Sequence, residues 1–301
     1  MAMITPALLA ALRTGFKGEF QRVYNETPSN YADIATTITS KTASNTFGWL
    51  GQFPSMQEWI GDRVLKDMAA HGYTITNKKF ESTVAVARTD IEDDSLGIYK
   101  PLVAEMGRAA KVHPDQLCFG LLKQGTTALC YDGQPFFDTD HPVYPNVDGT
   151  GTALTVSNFA TGTDPAWYLL DNSRALKAVI YQERTKPEFE SLTDTADEYV
   201  FMKDMYRYGV RVRCNVGFAF WQLAYCSKLP LTEANLDAAY DAMAAWTADG
   251  GRPLGIRPTH LVVPTNLRKA AAEAVEVSRK ANGADNPNAG LVKTIVTPWL
   301  N

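Results

Sequence analysis

The residues best equipped for chemistry lie in the run Phe136-Phe137-Asp138-Thr139-Asp140-His141-Pro142, where two carboxylates and an imidazole fall within four residues. Such a set suits a divalent metal or general acid–base work. No second histidine supports it, because His71, His113, His141 and His260 share no ligand spacing. Asp140 and His141 are adjacent and point apart in extended chain. Asx turns before a proline use the same letters. The run therefore reads as a structural loop, with no metal and no catalytic residue. A second acidic group, Asp90, Glu92, Asp93 and Asp94, lacks the spacing and glycine of an EF-hand loop. It reads as the start of a helix, with acids at the positive end of the dipole. Lys78 and Lys79 read as solvated turn lysines that discourage edge pairing.

Other chemistries find no frame. The glycines form neither GxGxxG nor GxxxxGK[ST], and Ser157, Ser173 and Ser191 stand outside any nucleophile elbow. Cys118, Cys130, Cys214 and Cys226 show no CxxC pair and sit in or beside apolar segments, where cysteine acts as a small hydrophobe. An enzyme is disfavoured and no cofactor is expected. A formal net charge of -4 with no basic block argues against a nucleic-acid binder that works by charge. Residues 1–11 are apolar but lack the basic start and cleavage site of a signal peptide, and no apolar run approaches the ~20 residues that span a bilayer.

The elements that must position these groups follow from periodicity. In residues 1–44, Leu8, Leu9, Leu12, Phe16, Phe20 and Val23 recur at helical spacing before a Thr/Ser-rich stretch, which reads as a loose terminal arm. Residues 55–70 read as a short amphipathic helix. Period-two alternation over 73–75 and 80–88, about Asn77-Lys78-Lys79, predicts a projecting hairpin within 73–89. An isolated hairpin is marginal in water, so it needs another surface, and a second copy would supply one. Ile98, Leu102, Met106 and Ala109 form a helical stripe; Pro114 interrupts it, and Asp115 reads as the cap of a second run to Leu122. Residues 131–165 are loop-rich. Strands are expected over 178–182, 199–202, 206–213, 260–263 and 291–297. Helices are expected over 233–246 and from Leu267 to Val275. The aromatic run at 218–223 predicts deep burial or a subunit contact.

This order of parts is α+β and resembles the tailed-phage HK97-like major capsid fold, and more closely the major head subunit (gpT) family of Mu-like phages. The resemblance rests on Ser44-Asn45-Thr46-Phe47-Gly48-Trp49-Leu50-Gly51, Glu58-Trp59-Ile60-Gly61, Asn77-Lys78-Lys79-Phe80-Glu81 and Glu92-Asp93-Asp94-Ser95-Leu96-Gly97-Ile98-Tyr99. It continues through Cys130-Tyr131-Asp132-Gly133-Gln134, the run from His141 to Gly151, Gly217-Phe218-Ala219-Phe220-Trp221-Gln222 and His260-Leu261-Val262-Val263-Pro264.

The resemblance implies an N-terminal arm (1–44), an extended loop lying across a neighbouring subunit (45–92), and a peripheral domain (93–225) with a spine helix at 96–124. An axial domain (226–290) and a closing strand (291–301) complete it. It implies a virion protein, assembled in the host cytoplasm into pentamers and hexamers of an icosahedral head that encloses double-stranded DNA without specific binding. The partners it implies are further copies of the chain, a separate scaffolding protein, a portal and a decoration protein. Trp49, Phe53, Trp59, Tyr73, Asn77, Lys78, Lys79 and Phe80 are the expected inter-subunit contacts. The competing readings are an encapsulin-like compartment shell and a metal-dependent enzyme using residues 132–149.

Overall fold

The N-terminal stripe forms the helix that its spacing predicts. In the computed structural model, which describes residues 4–50, 72–93, 95–280 and 282–301, α1 (Pro6–Glu26) starts with proline at its first position, and the Thr5 hydroxyl accepts the Leu8 N–H at 3.2 Å. There follow α2 (Tyr31–Ile34), β1 (Ala35–Thr39), β2 (Ser44–Phe47), β3 (Tyr73–Thr76), β4 (Lys78–Ala87), α3 (Arg88–Glu92) and the long α4 (Lys100–Lys123). The loop-rich stretch carries only β5 (His141–Val143), β6 (Leu154–Val156) and β7 (Phe159–Ala160) before β8 (Trp167–Leu170). The remainder is β9 (Val179–Leu192), α5 (Glu198–Lys203), β10 (Met205–Phe218), β11 (Ala224–Ser227), α6 (Glu233–Ala245), β12 (His260–Pro264), α7 (Arg268–Val275) and β13 (Lys293–Thr297).

Two larger sheets organise the chain. One has the order β1-β9-β10-β4, with long β9 and β10 antiparallel and joined through α5; the other runs β13-β12-β8-β11-β7, with β12 and β13 parallel. The main core holds the aromatic run, with Phe218, Trp221 and Leu223 at most 1% exposed. A second core gathers Leu9, Phe16 and Phe20 of α1 with Val103 and Met106 of α4 and with Val86, Tyr206 and Tyr208 of the first sheet. Each large apolar side chain buried this way contributes roughly 1.5–3 kcal/mol.

Several expectations are corrected. The N-terminal segment is not loose: α1 lies so close on α4 that a Cβ at Gly107 would stand 2.6 Å from the Phe20 carbonyl, and the Thr-rich stretch is β1, which pairs parallel with β9. β-Branched threonines fit a pleated, half-buried strand. The strands at 73–76 and 78–87 form, but not as a hairpin: β3 pairs with β2, and β4 pairs with β10 along its whole length. The buried face of α4 is Val103, Met106, Gly107, Cys118 and Leu122, while Ile98 and Leu102 stay exposed. Pro114 sits inside one continuous helix. Asp115 does not cap its own helix; it accepts the backbone N–H groups of Asn30 and Tyr31, at the start of α2, and the Ser29 hydroxyl at 2.8 Å. Residues 199–202 are helical in α5, where the Asp197 carboxylate accepts the Tyr199 N–H. The expected helix at 55–70 lies outside the described residues.

Candidate functional site

Two places carry the groups singled out from sequence. The first is the start of the loop-rich stretch. Gly133 adopts φ +82°, a turn conformation open to glycine, and the Cys130 N–H closes that turn on the Gln134 carbonyl at 2.8 Å. The turn points Cys130 and Asp132 at His141, the first residue of β5. One Asp132 oxygen accepts the Cys130 S–H at 3.0 Å and the Gln134 N–H at 3.1 Å, while the other lies 2.8 Å from His141 Nδ1. His141 Nε2 lies 3.3 Å from the Phe136 carbonyl oxygen, and the ring stacks on Trp221 at 4.3 Å and 7°. His141 is fully buried.

Burial alone would push the Asp132 carboxyl upward, but the hydrogen bonds from His141 and Cys130 and the attraction of His141 outweigh it and hold it below the ordinary carboxylate range. Burial, with Asp132 beside it, pushes the Cys130 thiol far up, so it is no nucleophile. Among the described residues the metal-capable group is Cys130, Asp132 and His141, whose ligand atoms all lie within 4.8 Å of one another. The expected grouping of Asp138 and Asp140 with His141 does not form: Asp138 Oδ1 accepts the Thr139 N–H, and Asp140 is exposed. Sequence reasoning passed over Cys130 and Asp132 by reading one as a hydrophobe and the other as a turn residue. Their Cys-x-Asp spacing, nine residues before His141, was the available signal.

The second place is residues 44–93. Phe47 pairs with Tyr73 across β2 and β3, so the chain leaves and returns at one point of the molecule. Gly217 admits this ladder against β10, since a Cβ there would meet the Ile75 side chain at 2.4 Å. Tyr73 and Asn77 are tied inside their own chain: the Tyr73 hydroxyl accepts the Phe218 N–H at 3.1 Å, and the Asn77 amide oxygen accepts from Gln182 Nε2 at 2.9 Å. Phe80 packs its edge on His113 at 4.3 Å. Trp49 is 38% exposed, edge-on to Phe220, and Lys78 and Lys79 are exposed at the start of β4, whose outer edge carries no partner strand among the described residues. Phe53 and Trp59 lie outside the described residues.

The acidic stretch is dispersed rather than convergent. Asp90 accepts the Tyr99 hydroxyl and Glu92 pairs with Arg88 at 3.1 Å. These residues lie in and after α3, not at the start of α4. Asp94 lies outside the described residues.

A family model for the Mu-like prophage major head subunit gpT matches residues 9–300. The major capsid protein of Escherichia phage Mu is 46% identical over 304 aligned residues, covering 99% of this chain and 100% of that protein. The Mu-like prophage FluMu major head subunit of Haemophilus influenzae is 51% identical, over 93% and 92% of the two chains. Among solved structures, the procapsid of bacteriophage JBD30 matches with a TM-score of 0.87 at 65% identity, over 98% of this chain and 100% of that one. The JBD30 capsid decorated with minor capsid protein trimers matches the whole of both chains, at a TM-score of 0.76 and 48% identity.

Proposed function

From the premise that this chain belongs to the Mu-like prophage major head subunit gpT family, we propose how it builds its shell. The chain is a major head subunit with an HK97-like capsid fold, a structural protein of the virion rather than an enzyme. No helix among the described residues is long and apolar enough to cross a membrane. Copies of the chain join as pentamers and hexamers of an icosahedral head enclosing double-stranded DNA. The observation that carries this reading is the near-complete match to a procapsid subunit at 65% identity.

Several surfaces support it. Trp49, 38% exposed where the described chain leaves β2, is proposed as an anchor for the loop of residues 45–92 on a neighbouring subunit; aromatic anchors dominate interface energetics. The open edge of β4, with Lys78 and Lys79, faces the next copy. Large apolar side chains exposed near the α5 end of the long strands, Phe201 at 82% and Met202 at 69%, mark a further contact. Heterologous contacts of this kind close into rings, and effective concentration makes their sum stable although each is weak. The domain roles carry over as a peripheral unit around α4 and an axial unit from about residue 226 to 290, with a separate scaffold, a portal and a decorating protein as partners. A mildly acidic chain, with net charge -4, suits a container in which DNA must slide. The compartment-shell and metal-enzyme alternatives are not favoured, because relatives matching nearly the full length are head subunits.

Electron microscopy of the chain co-expressed with its scaffold tests the proposal. Closed shells containing pentamers and hexamers are expected. Folded protein that stays monomeric at assembly concentrations would overturn it.

A further inference from the structure

The Cys130–Asp132–His141 cluster holds a contradiction that a metal ion resolves. Both ring nitrogens of His141 face acceptors, the Asp132 carboxylate at 2.8 Å and the Phe136 carbonyl at 3.3 Å. A neutral imidazole has a single N–H. One of the two contacts is therefore lone pair against lone pair, unless the fully buried ring carries a charge. Burying a charge is costly even when it is paired. The sulfur of Cys130 sits 3.0 Å from the other carboxylate oxygen, and the three ligand atoms lie within 4.8 Å of one another.

We propose that Cys130, Asp132 and His141 form a structural zinc site that clamps the loop-rich stretch to the aromatic core. Sulfur, nitrogen and carboxylate oxygen are the donor set that zinc takes. With the ion on Nδ1, His141 is neutral and its remaining N–H, on Nε2, donates to the Phe136 carbonyl, which is the outer-shell bond that metal-ligating histidines use to fix their tautomer. Asp132 is oriented in the same way by the Gln134 N–H. Binding replaces the thiol proton, which leaves to solvent; thiolate and carboxylate then neutralise the doubly charged ion, and the three protein donors leave its fourth tetrahedral position to a water. The expectation of no metal weighed Asp138, Asp140 and His141 without a second histidine; Asp138 and Asp140 take no part. The ion's place under Trp221 suits a clamp, not a reaction centre.

The test is elemental analysis of the purified full-length chain, with cobalt(II) substitution as an independent measurement. About one zinc per chain is expected, and Cys130→Ser and His141→Gln should each lower metal affinity at least about tenfold. Cobalt in the wild-type chain should give a thiolate-to-metal charge-transfer band, a readout that stands even if the variants fail to fold. A folded wild-type chain that takes up neither zinc nor cobalt overturns the proposal. Zinc retained at full affinity in both variants lies elsewhere and overturns it too.

Discussion

The strands at 73–87 and the loop at 130–141 invert their sequence appearance. The strands have the pattern of a free arm, half polar and turning on Asn-Lys-Lys, yet they are woven into their own molecule: β3 on β2, β4 on β10. The loop has the letters of ordinary turn chemistry, yet its carboxylate, thiol and imidazole converge beneath a tryptophan. Alternation reports which face of a strand is buried and says nothing of its partner. Turn letters report backbone shape and say nothing of what the turn aims at.

Substitutions can break this contrast. The largest effect belongs to Val86→Asp, which puts an unpaired charge at a fully buried position of β4. A loss on the order of 4–5 kcal/mol is expected, read by chemical denaturation of the unassembled chain; a near-neutral result would return β4 to the role of a free arm. Next comes Asp132→Asn, which removes the carboxylate that accepts from Cys130 and Gln134 and faces His141 Nδ1. A loss of about 3 kcal/mol is expected, and a thermal shift typical of a surface substitution would demote the cluster to ordinary loop.

A smaller effect concerns pH. Burial beside Phe80 holds the His113 imidazole below its ordinary 6.5. The unfolded chain therefore binds the proton first as pH falls, so stability declines from about pH 6.5 downward until the folded group titrates. His113→Gln should flatten that part of the stability–pH curve, and an unchanged slope would show that another group sets it. The smallest effect belongs to the paired change Lys78→Ala and Lys79→Ala, which should alter subunit stability by less than about 0.5 kcal/mol. Any sizeable change it causes should appear in shell yield, measured by sedimentation; a large loss of subunit stability would make the two lysines internal supports.

Much of the fold was legible where local rules decide. Pro6 and the Leu9/Phe16/Phe20 spacing mark α1, the 260–264 strand and the helix at 233–245 fall close to their patterns, and the ring density at 218–223 signals burial. What stayed hidden depends on partners distant in sequence. Asp115 caps a helix start some eighty-five residues earlier, so the proline before it had the appearance of a boundary. Residues 199–202 carry strand letters but are turned into a helix by the Asp197 cap. At the site, His141 was visible by type and Cys130 and Asp132 only by a short spacing, and the turn at Gly133 is what brings the three together.

The central proposal is that the loop of residues 45–92 serves contact with a neighbouring subunit. The most direct measurement replaces residues 51–71 with a short Gly/Ser linker, which the adjacency of Phe47 and Tyr73 permits, and follows both thermal unfolding and shell formation by electron microscopy. An unchanged unfolding temperature with no closed shells is the predicted result. Shells at wild-type yield, or a subunit that no longer folds, would contradict it.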